Sequence, residues 1–406
     1  MIENNPDKIK EAEIVVGIPS LNEADNIAFI TDKIDQGLIK YFSGQKAVIV
    51  NSDNNSPDNT GRVFLRTKTK NPKIYISTSG GQRGKGNNLK NLFLKIKDLG
   101  AKTAMTVDAD IKSISAQWIK CFLEPISRGY DFIAPVYRRH KYDGSITNHL
   151  TYPLIYGLLG YDFRQPIGGD MSFSSRMVDY WIEQKWPPAA SGYGIDIFMT
   201  SQAIKSGLKL GQVNLGSKFH KPSLLKLDNM FLEVAETFFN FLANHRNLWP
   251  KEINLEKLPL VCRVNGKIIY QKLPPVEYKE IEETALADFP DCYQNLKDEL
   301  PSEISGPLRM MFLQKKSLKI TADFWSKVVY QLFYLYQVKP EKDLIIKLLR
   351  SLYFGRMASA IKEEHLKNRK ESEKLVQKQA QLFFKNRNYL LGMAKKTQGS
   401  LALEMN

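Results

Sequence analysis

Residues 103–110, TAMTVDAD, decide the fold class of this chain, because a short apolar strand pattern ends there in two acidic residues. Outward from this stretch, similar apolar runs alternate with segments that repeat apolar residues at helical spacing. This alternation is typical of an α/β fold with a mostly parallel sheet and right-handed crossovers, whose ligands bind beyond the carboxyl ends of the strands. The other predicted strands are residues 14–18, 47–50, 74–77 and 132–136, and the predicted helices are residues 24–38 and 87–99.

The character of the chain changes after Trp249 and Pro250. Residues 324–338 and 344–361 are helical patterns rich in apolar residues, and residues 367–385 are strongly charged. We therefore predict two domains, an α/β ligand-binding domain over residues 1–250 and a mainly helical C-terminal domain over residues 251–406. Within the second domain we expect a hairpin around Asn265 and Gly266 and a loose end over residues 395–406.

The composition describes an ordinary globular protein with a basic balance. Of the 406 residues, 43% are apolar and 25% are charged, and the 58 Lys and Arg exceed the 43 Asp and Glu to give a net charge of +15. Such a balance favours anionic ligands, including sugar nucleotides and phosphorylated acids. The basic residues are scattered and form no recognisable nucleic-acid motif, so we expect no nucleic-acid partner.

Three cysteines, Cys121, Cys262 and Cys292, are far apart in the sequence. Their odd number and spacing predict no disulfide framework and a reducing compartment. The polar N-terminus lacks the apolar core of a signal peptide, and no run of about 18 apolar residues is present to span a membrane. We therefore expect a cytoplasmic protein without a transmembrane segment.

Polar clusters follow the predicted strands, where ligands of an open sheet collect. After the first strand, Glu23 can accept hydrogen bonds from a ribose or a base, although a helix cap would look similar. After the second, Asp53 can pair with the N–H edge of a base, although a plain polar loop is an equal alternative. Residues 79–87, SGGQRGKGN, place Lys85 in a glycine-rich turn before a helix, which suits a diphosphate.

Asp108 and Asp110 are the two acids that end the TAMTVDAD stretch. Alternate residues of an extended chain face the same way, so both carboxylates can address one hard cation. Mg²⁺ and Mn²⁺ take oxygen ligands and commonly combine carboxylates with substrate phosphates, and such an ion offsets the repulsion between the two acids. We predict a Mg²⁺ or Mn²⁺ site here. Further acids, Asp170 and Asp196, lie in small glycine-containing turns downstream.

These motifs resemble those of a known group of enzymes. IPSLNEADNI, the run from Asp53 to Thr60, and DAD at 108–110 resemble GT-A fold glycosyltransferases. RGKG, VDADI, RQPIGGD, GYGID and KFHK narrow the resemblance to the retaining synthases of mannosylglycerate, glucosylglycerate and glucosyl-3-phosphoglycerate. It covers residues 13–223 in order, and the helical half is similar to the extra helical domain of mannosylglycerate synthase. The resemblance implies a Rossmann-like GT-A sheet with a C-terminal mainly helical domain.

On the donor side, the resemblance implies a role for each matching residue. Pro19, Glu23 and Asp53 would hold the nucleoside, with Asp53 on the base. Lys85 would contact the diphosphate and assist its departure, and Asp108 would touch the ribose or the sugar.

The resemblance also implies a metal site and an acceptor site. Asp110 and His220 would ligate the Mg²⁺ or Mn²⁺ ion. Gly168, Gly169 and Asp170 would form a loop that holds the donor sugar and the acceptor. Asp196 would be an acidic residue near the reacting centre. Arg139 and Thr147 would bind the acceptor's carboxylate.

One departure bears on the acceptor. The phosphoglycerate enzymes carry an Arg in the loop before the matching Thr, and here that position is Ser145. Because an Arg is the fitting partner of a phosphate, its absence favours D-glycerate, although Arg138, Arg139 and Lys141 can still serve a phosphate.

The expected reaction is transfer of mannose or glucose from a GDP- or UDP-hexose to D-glycerate or a related small hydroxy acid. Three alternatives stay open. The first is a glucosyl-3-phosphoglycerate synthase, and the second is an inverting family-2 glycosyltransferase acting on a polyisoprenyl phosphate or a glycan. The third is a binding protein without catalysis. If the reaction inverts, Asp196 or Asp170 is the candidate base. The C-terminal domain is a candidate for closing the acceptor pocket or for forming a homodimer.

Overall fold

The computed structural model describes residues 2–79, 82–221, 226–250, 255–264, 278–313 and 318–404. The chain divides into two compact units and passes between them more than once. The first unit comprises Met1–Arg139, Arg164–Phe238 and Leu258–Lys272, and the second comprises His140–Phe163, Phe239–Lys257 and Leu273–Asn406. The division is therefore interleaved, in contrast to the single boundary at residue 250 that we predicted.

The described residues contain eleven strands, nine of them in the sheet of the first unit. The strands are β1 (Ile2–Asn4), β2 (Ile14–Ser20), β3 (Ala47–Asp53), β4 (Lys73–Ser77), β5 (Thr103–Thr106), β6 (Phe132–Arg138), β7 (Tyr161–Asp162), β8 (Met171–Ser174), β9 (Leu210–Ser217), β10 (Glu256–Lys257) and β11 (Leu260–Arg263). The five strands predicted from the sequence are confirmed with small changes at their ends.

Helices connect the strands of the first unit and make up most of the second. Those that begin in the first unit are α1 (Ile27–Tyr41), α2 (Thr60–Arg66), α3 (Lys85–Asp98), α4 (Ala116–Ser127), α6 (Ser175–Glu183), α7 (Ile195–Ser206) and α8 (Leu227–Asn244). The second unit holds α5 (Tyr152–Leu154), α9 (Tyr278–Ala287), α10 (Phe289–Leu296), α11 (Ser302–Leu308), α12 (Ala322–Val338), α13 (Lys342–Glu364) and α14 (Arg369–Glu404).

The nine-stranded sheet has the order β1-β4-β3-β2-β5-β8-β6-β9-β11. The strands from β4 to β5 in this order are parallel, which agrees with the prediction. An antiparallel strand, β8, lies between β5 and β6, with Met171 opposite Thr106. Asp170 therefore lies at the carboxyl end of β5, beside the residues that follow that strand. β9 runs parallel to β6 and ends at the same edge.

Apolar packing on both faces of the sheet positions the helices that carry site residues. Alternate residues of β2, Ile14 and Val16 among them, join a buried cluster with Trp118 of α4. On the other face, a Cβ atom built on Gly17 would lie 2.2 Å from Leu92 Cδ2, so α3 approaches β2 more closely than a larger residue would permit. This close packing fixes the start of α3 near the strand ends.

A disulfide joins α4 to β11. Cys121 and Cys262 are bonded, with their Cα atoms 5.3 Å apart, although 141 positions separate them in the sequence. The prediction of no disulfide is wrong, because spacing along the chain does not reveal that the fold brings α4 and β11 together. The cysteine pattern therefore no longer argues for a reducing compartment. Cys292 is free and buried.

The second unit is mainly helical, as predicted. The side chain of Trp325 in α12 donates a 2.6 Å hydrogen bond to the carbonyl of His149, and Tyr330 donates one of 2.7 Å to the carbonyl of Phe383. We expected a loose end over residues 395–406, but α14 continues through this segment as far as Glu404. The predicted hairpin at residues 265–266 lies outside the described residues. None of the helices in the described ranges has the length and apolar character of a membrane span.

Candidate active site

The carboxyl edge of the sheet gathers charged side chains from several elements of the first unit. Their carboxylates outnumber their lysine ammonium groups. The carboxylates belong to Glu23, Asp108, Asp110, Asp170 and Asp196, and the ammonium groups belong to Lys85, Lys218 and Lys221.

Lys85, the first residue of α3, bridges two of these carboxylates. Its Nζ lies 3.0 Å from Asp108 Oδ1 and 3.1 Å from Asp196 Oδ2, which brings together three residues predicted for the site. Burial alone would lower the pKa of Lys85, but the charges of the two aspartates outweigh it and raise this pKa. Lys85 therefore carries a fixed positive charge at the helix N-terminus, where a diphosphate is most readily held.

The turn before α3 packs directly on the loop that leads into α7. A Cβ atom on Gly86 would lie 1.8 Å from the carbonyl oxygen of Ala190, and the Gly86 N–H donates a 3.1 Å hydrogen bond to Gly192. These contacts place Asp196 beside Lys85. The hydrogen bond also occupies the N–H of Gly86, which is one of the helix-terminal N–H groups that the sequence suggested for binding an anion. Gly80 and Gly81 of the same turn lie outside the described residues.

Asp108 is held between two lysines. Lys85 contacts one carboxylate oxygen, and Lys218 Nζ lies 3.6 Å from the other. Burial alone would raise the pKa of Asp108, but these two charges lower it to about 2. Asp108 is therefore ionised at any working pH, and its carboxylate faces ammonium groups of its own chain.

Asp170 is fully buried and accepts hydrogen bonds on both oxygens. Its Oδ1 accepts the backbone N–H of Asp108 at 2.8 Å, and its Oδ2 accepts the Tyr137 hydroxyl and the Lys218 ammonium, the latter at 3.1 Å. This arrangement favours a positioning role for Asp170 and leaves Asp196 as the better-placed candidate base. Burial, followed by the charge of Asp170, holds the pKa of Tyr137 well above its usual value.

The glycines before Asp170 allow the loop to approach Asp108. Gly169 has a φ of +85°, and a Cβ atom built on it would lie 2.0 Å from Asp108 Oδ2. The carbonyl of Gly168 accepts a 2.7 Å hydrogen bond from Lys218. The predicted donor-sugar loop and the DxD motif are therefore in contact.

Asp110 and His220, the predicted metal ligands, lie in neighbouring segments. The N–H of Lys112 donates to the carbonyl of Phe219 at 2.8 Å, and the N–H of Phe219 donates to Ser113 Oγ at 2.9 Å. Burial and the nearby Asp108 carboxylate raise the pKa of Asp110, whereas the charges of Lys218 and His220 lower it. His220 Nδ1 also contacts the carbonyl of Lys221 at 2.8 Å. Within the described ranges, no group of three or more His, Cys, Asp or Glu side chains is arranged to hold a metal ion.

Glu23 follows β2 and is paired with a lysine from the segment after His220. Lys221 Nζ lies 2.7 Å from Glu23 Oε2 and 2.8 Å from Asp25 Oδ1. Burial raises the pKa of Glu23, and the Lys221 contact partly offsets this. The pair connects the predicted nucleoside loop to the predicted metal segment.

Asp53 ends β3 and is fully buried. Its oxygens accept hydrogen bonds from Ser20 Oγ at 2.8 Å, from the N–H of Ser56 at 2.7 Å and from the Tyr75 hydroxyl at 3.1 Å. Asp53 therefore shapes the loops after β2 and β3, and direct pairing with a base would require some of these contacts to break. The neighbouring Pro19 is a buried residue of β2 paired with Ser52 of β3.

The two predicted acceptor residues belong to different units. Arg139 ends a stretch of the first unit, where its Nε donates to Gln165 Oε1 at 3.4 Å and its guanidinium lies over the Tyr137 ring. Thr147 begins a short π-helical turn of the second unit and is buried. The predicted boundary at residue 250 had placed both residues in one domain, because it did not foresee that residues 140–163 join the helical unit.

Sequence reasoning missed Lys218 as a site residue. The motif KFHK drew attention to its histidine, but Lys218 contacts Asp108, Asp170 and Gly168. The available signal was strand periodicity: Lys218 stands two positions before His220, so an extended backbone directs both side chains the same way.

Comparisons with known proteins identify the family. A family model described as the mannosylglycerate synthase GT domain matches residues 10–240. One similar structure is that of glucosyl-3-phosphoglycerate synthase from Mycobacterium tuberculosis with Mn²⁺, uridine-diphosphate and phosphoglyceric acid. Its sequence is 22% identical to this chain, the match covers 57% of this chain and 78% of that enzyme's chain, and the TM-score is 0.47. Another structure of that enzyme, with Mg²⁺ and uridine-diphosphate, is 22% identical, covers 57% of this chain and 79% of its own, and has a TM-score of 0.46. No curated protein sequence gave a significant match.

The family model covers more than half of the chain and includes the whole cluster from Glu23 to Lys221. The mixed α/β sheet and the mainly helical C-terminal region agree with the GT-A fold that the sequence resemblance implied. This chain belongs to the mannosylglycerate synthase GT-domain family and is a glycosyltransferase with a GT-A fold.

Proposed function

We propose that the enzyme transfers a hexose, mannose or glucose, from a nucleoside diphosphate sugar to D-glycerate or a related small hydroxy acid, with retention at the anomeric carbon. The observation that carries this proposal is the contact of the DxD motif with both Lys85 and the Gly168–Asp170 loop at the carboxyl edge of the sheet. Family membership supports the reaction class.

A Mg²⁺ or Mn²⁺ ion is part of the proposal. Asp110 supplies a partly buried carboxylate whose pKa is raised by burial and by the nearby Asp108 carboxylate, and His220 supplies an imidazole close enough to influence that pKa. Two protein ligands leave coordination positions for the diphosphate, which is how such ions are usually held at phosphate sites. When bound, the ion would neutralise the charge that develops on the leaving diphosphate.

The protein's own groups prepare the donor site. Lys85 holds a permanent positive charge at the start of α3 and can pair with a phosphate oxygen. Asp196 is tied to Lys85 and is mostly buried, with a pKa raised by that burial. In a retaining reaction Asp196 orients the lysine and stabilises positive charge at the reacting carbon, and the departing phosphate oxygen takes the acceptor proton.

The acceptor assignment rests on Ser145. Its hydroxyl is 2.6 Å from the hydroxyl of Tyr353, a fully buried residue, so this position is committed to packing within the second unit. An unphosphorylated acid such as D-glycerate needs no arginine there. The runner-up is a glucosyl-3-phosphoglycerate synthase, in which Arg138, Arg139 or Lys141 would serve the phosphate.

The test is an activity matrix of purified enzyme with GDP-mannose, GDP-glucose and UDP-glucose against D-glycerate, 3-phosphoglycerate and lactate, each with Mn²⁺ and with EDTA. We expect one GDP- or UDP-hexose with D-glycerate to give the highest kcat/KM, and EDTA to abolish turnover. NMR of the product should show the donor's anomeric configuration. A product of opposite configuration, or transfer to none of the three acids, would overturn the proposal.

A further inference from the structure

A buried lysine that the sequence did not single out occupies the centre of the site. Lys218 follows β9, and its side chain is only 4% exposed. Burying an ammonium group is costly unless it is paired and hydrogen-bonded, so a position that retains one has a specific local requirement for it. The partners of Lys218 show what that requirement is.

Lys218 contacts two segments that meet at the DxD motif. It donates to the Gly168 carbonyl at 2.7 Å, pairs with Asp170 Oδ2 at 3.1 Å and lies 3.6 Å from Asp108 Oδ2. Its Nζ also lies 4.8 Å from the centre of the Tyr137 ring, which leaves it well enclosed. One ammonium group therefore fixes the Gly168–Asp170 loop against the end of β5.

We propose that Lys218 is a positioning residue for sugar transfer: it fixes the donor-sugar loop to the DxD motif and sets the charge of the neighbouring ion site. This inference rests on the proposed function. Both oxygens of Asp108 face a lysine, so Asp110 is the DxD carboxylate that we assign to the ion. Lys218 contacts Asp108, which stands two positions before Asp110, and Lys218 itself stands two positions before His220. Its positive charge therefore lies close to both proposed ion ligands and opposes a cation bound there.

The two roles make opposite predictions for binding and turnover. Lys218→Met removes a positive charge near Asp110, so the free enzyme should bind Mn²⁺ more tightly, by about fivefold given the strength of such interactions in partly screened sites. The same change frees the Gly168–Asp170 loop, so kcat should fall by about 100-fold, a typical consequence of a small misplacement at a reacting centre. A lesion that merely damaged the fold would weaken both properties.

Asp170→Asn provides the converse test. It keeps Lys218 but removes the negative charge that the lysine neutralises, so Mn²⁺ should bind more weakly than in the wild type. Lys218→Arg keeps the charge and should restore Mn²⁺ affinity to the wild-type value and recover part of kcat. Lys209→Met, which removes an exposed lysine just before β9, controls for the loss of one charge and should change neither property.

The experiment measures Mn²⁺ affinity by electron paramagnetic resonance without substrates, kcat and KM with the best donor–acceptor pair, and thermal melting of every variant. The inference is supported if Lys218→Met tightens Mn²⁺ binding while kcat collapses, and if Asp170→Asn weakens binding. It is overturned if Lys218→Met keeps kcat within threefold of the wild type, or if both variants weaken Mn²⁺ binding. Wild-type enzyme that turns over without binding Mn²⁺ would overturn both the proposed metal and this inference. Retention of kcat by Lys218→Met, or weaker Mn²⁺ binding in both variants, would overturn this inference alone and leave the proposed function intact.

Discussion

The backbone N–H of Asp108 donates a 2.8 Å hydrogen bond to Oδ1 of Asp170. This bond joins a residue just after β5 to the residue before β8, and the pairing of Thr106 with Met171 continues it into the sheet. The strand register therefore determines the separation of the DxD motif from the Gly168–Asp170 loop. Any change that moves this loop should alter the orientation of Asp108 before it alters the sheet.

Gly169→Ala tests this contact. The new Cβ atom would lie 2.0 Å from Asp108 Oδ2 in a backbone conformation with positive φ, so we expect a loss of stability of about 2–4 kcal/mol and at least a roughly 100-fold loss of kcat/KM. Gly207→Ala is the matched control, because Gly207 has a φ of +69° with nothing within 4 Å of its Cβ position. The control should lose only the backbone contribution, about 1 kcal/mol, and keep its activity. Equal losses of activity in the two variants would contradict the importance of the Asp108 contact.

Lys85→Met should remove the cation between Asp108 and Asp196. We expect turnover to fall by about 100-fold or more, since a charged donor to a leaving phosphate contributes on the order of 3 kcal/mol to such reactions. The melting temperature should also fall, because the carboxylates of Asp108 and Asp196 lose their cationic partner. Lys90→Met, on the exposed face of the same helix, should leave steady-state kinetics unchanged. Retention of more than a tenth of the turnover by Lys85→Met would argue against a role at the diphosphate.

Asp110→Asn and His220→Asn test the proposed ion ligands. Each should raise the Mn²⁺ concentration needed for half-maximal activity by at least tenfold, because loss of one of two protein ligands leaves the ion held chiefly by substrate. The measurement is a Mn²⁺ titration of initial rates at saturating donor and acceptor. Asp179→Asn, an exposed member of a surface ion pair with Lys97, is the control for loss of one carboxylate. An unchanged Mn²⁺ requirement in both ligand variants would refute the assignment.

Ser145→Arg tests the acceptor assignment. The guanidinium supplies the bidentate phosphate partner that this loop lacks, so the ratio of kcat/KM for 3-phosphoglycerate to that for D-glycerate should rise by at least tenfold. Ser145→Ala separates this gain from loss of the 2.6 Å contact with Tyr353, and it should lower stability slightly without changing the ratio. No change of preference in the arginine variant would show that the phosphate is recognised elsewhere.

Glu364 should make the stability of the second unit depend on pH. Burial raises its pKa from 4.5 to about 7, and Ser372, Arg356 and Lys141 offset the burial only in part. The folded state therefore favours the protonated acid, so the contribution of this group to stability is greatest below about pH 4.5 and decreases as the pH rises through 7. Glu364→Gln should remove this loss and melt a few degrees higher than the wild type at pH 8, but not at pH 5. A difference in melting temperature that is the same at both pH values would contradict this explanation.

Much of the sheet could be predicted from sequence because its central strands are short apolar runs closed by polar turns. Residues 14–18 and 47–50 carry this signal. The structure extends β2 by Pro19 and Ser20 and extends β3 by residues 51–53, and all of these residues are buried. β8 could not be predicted because MSFS is short and half polar. No local pattern shows that such a run inserts antiparallel between two other strands.

The proximity of Lys85 and Asp108 could be predicted, because both lie in segments that follow parallel strands and those segments share one edge of the sheet. Their functional roles stay predictions. The site could not be predicted where a role depends on tertiary pairing. Asp53 has the residue type of a base-binding acid, yet its oxygens are taken by partners from three segments, Ser20, Ser56 and Tyr75. The Cys121–Cys262 bond escapes sequence reasoning for the same reason, since each cysteine belongs to a different element of the fold.

The interleaving of the two units has a practical consequence for dissecting the enzyme. A cut at residue 250 would strip β11 from the edge of β9 and separate Cys121 from Cys262, exposing strand edges that invite aggregation. It would also leave β10 without its partner β7. Neither portion can be exchanged between relatives as a cassette at that position, and any chimera must transfer residues 140–163 together with the C-terminal helices.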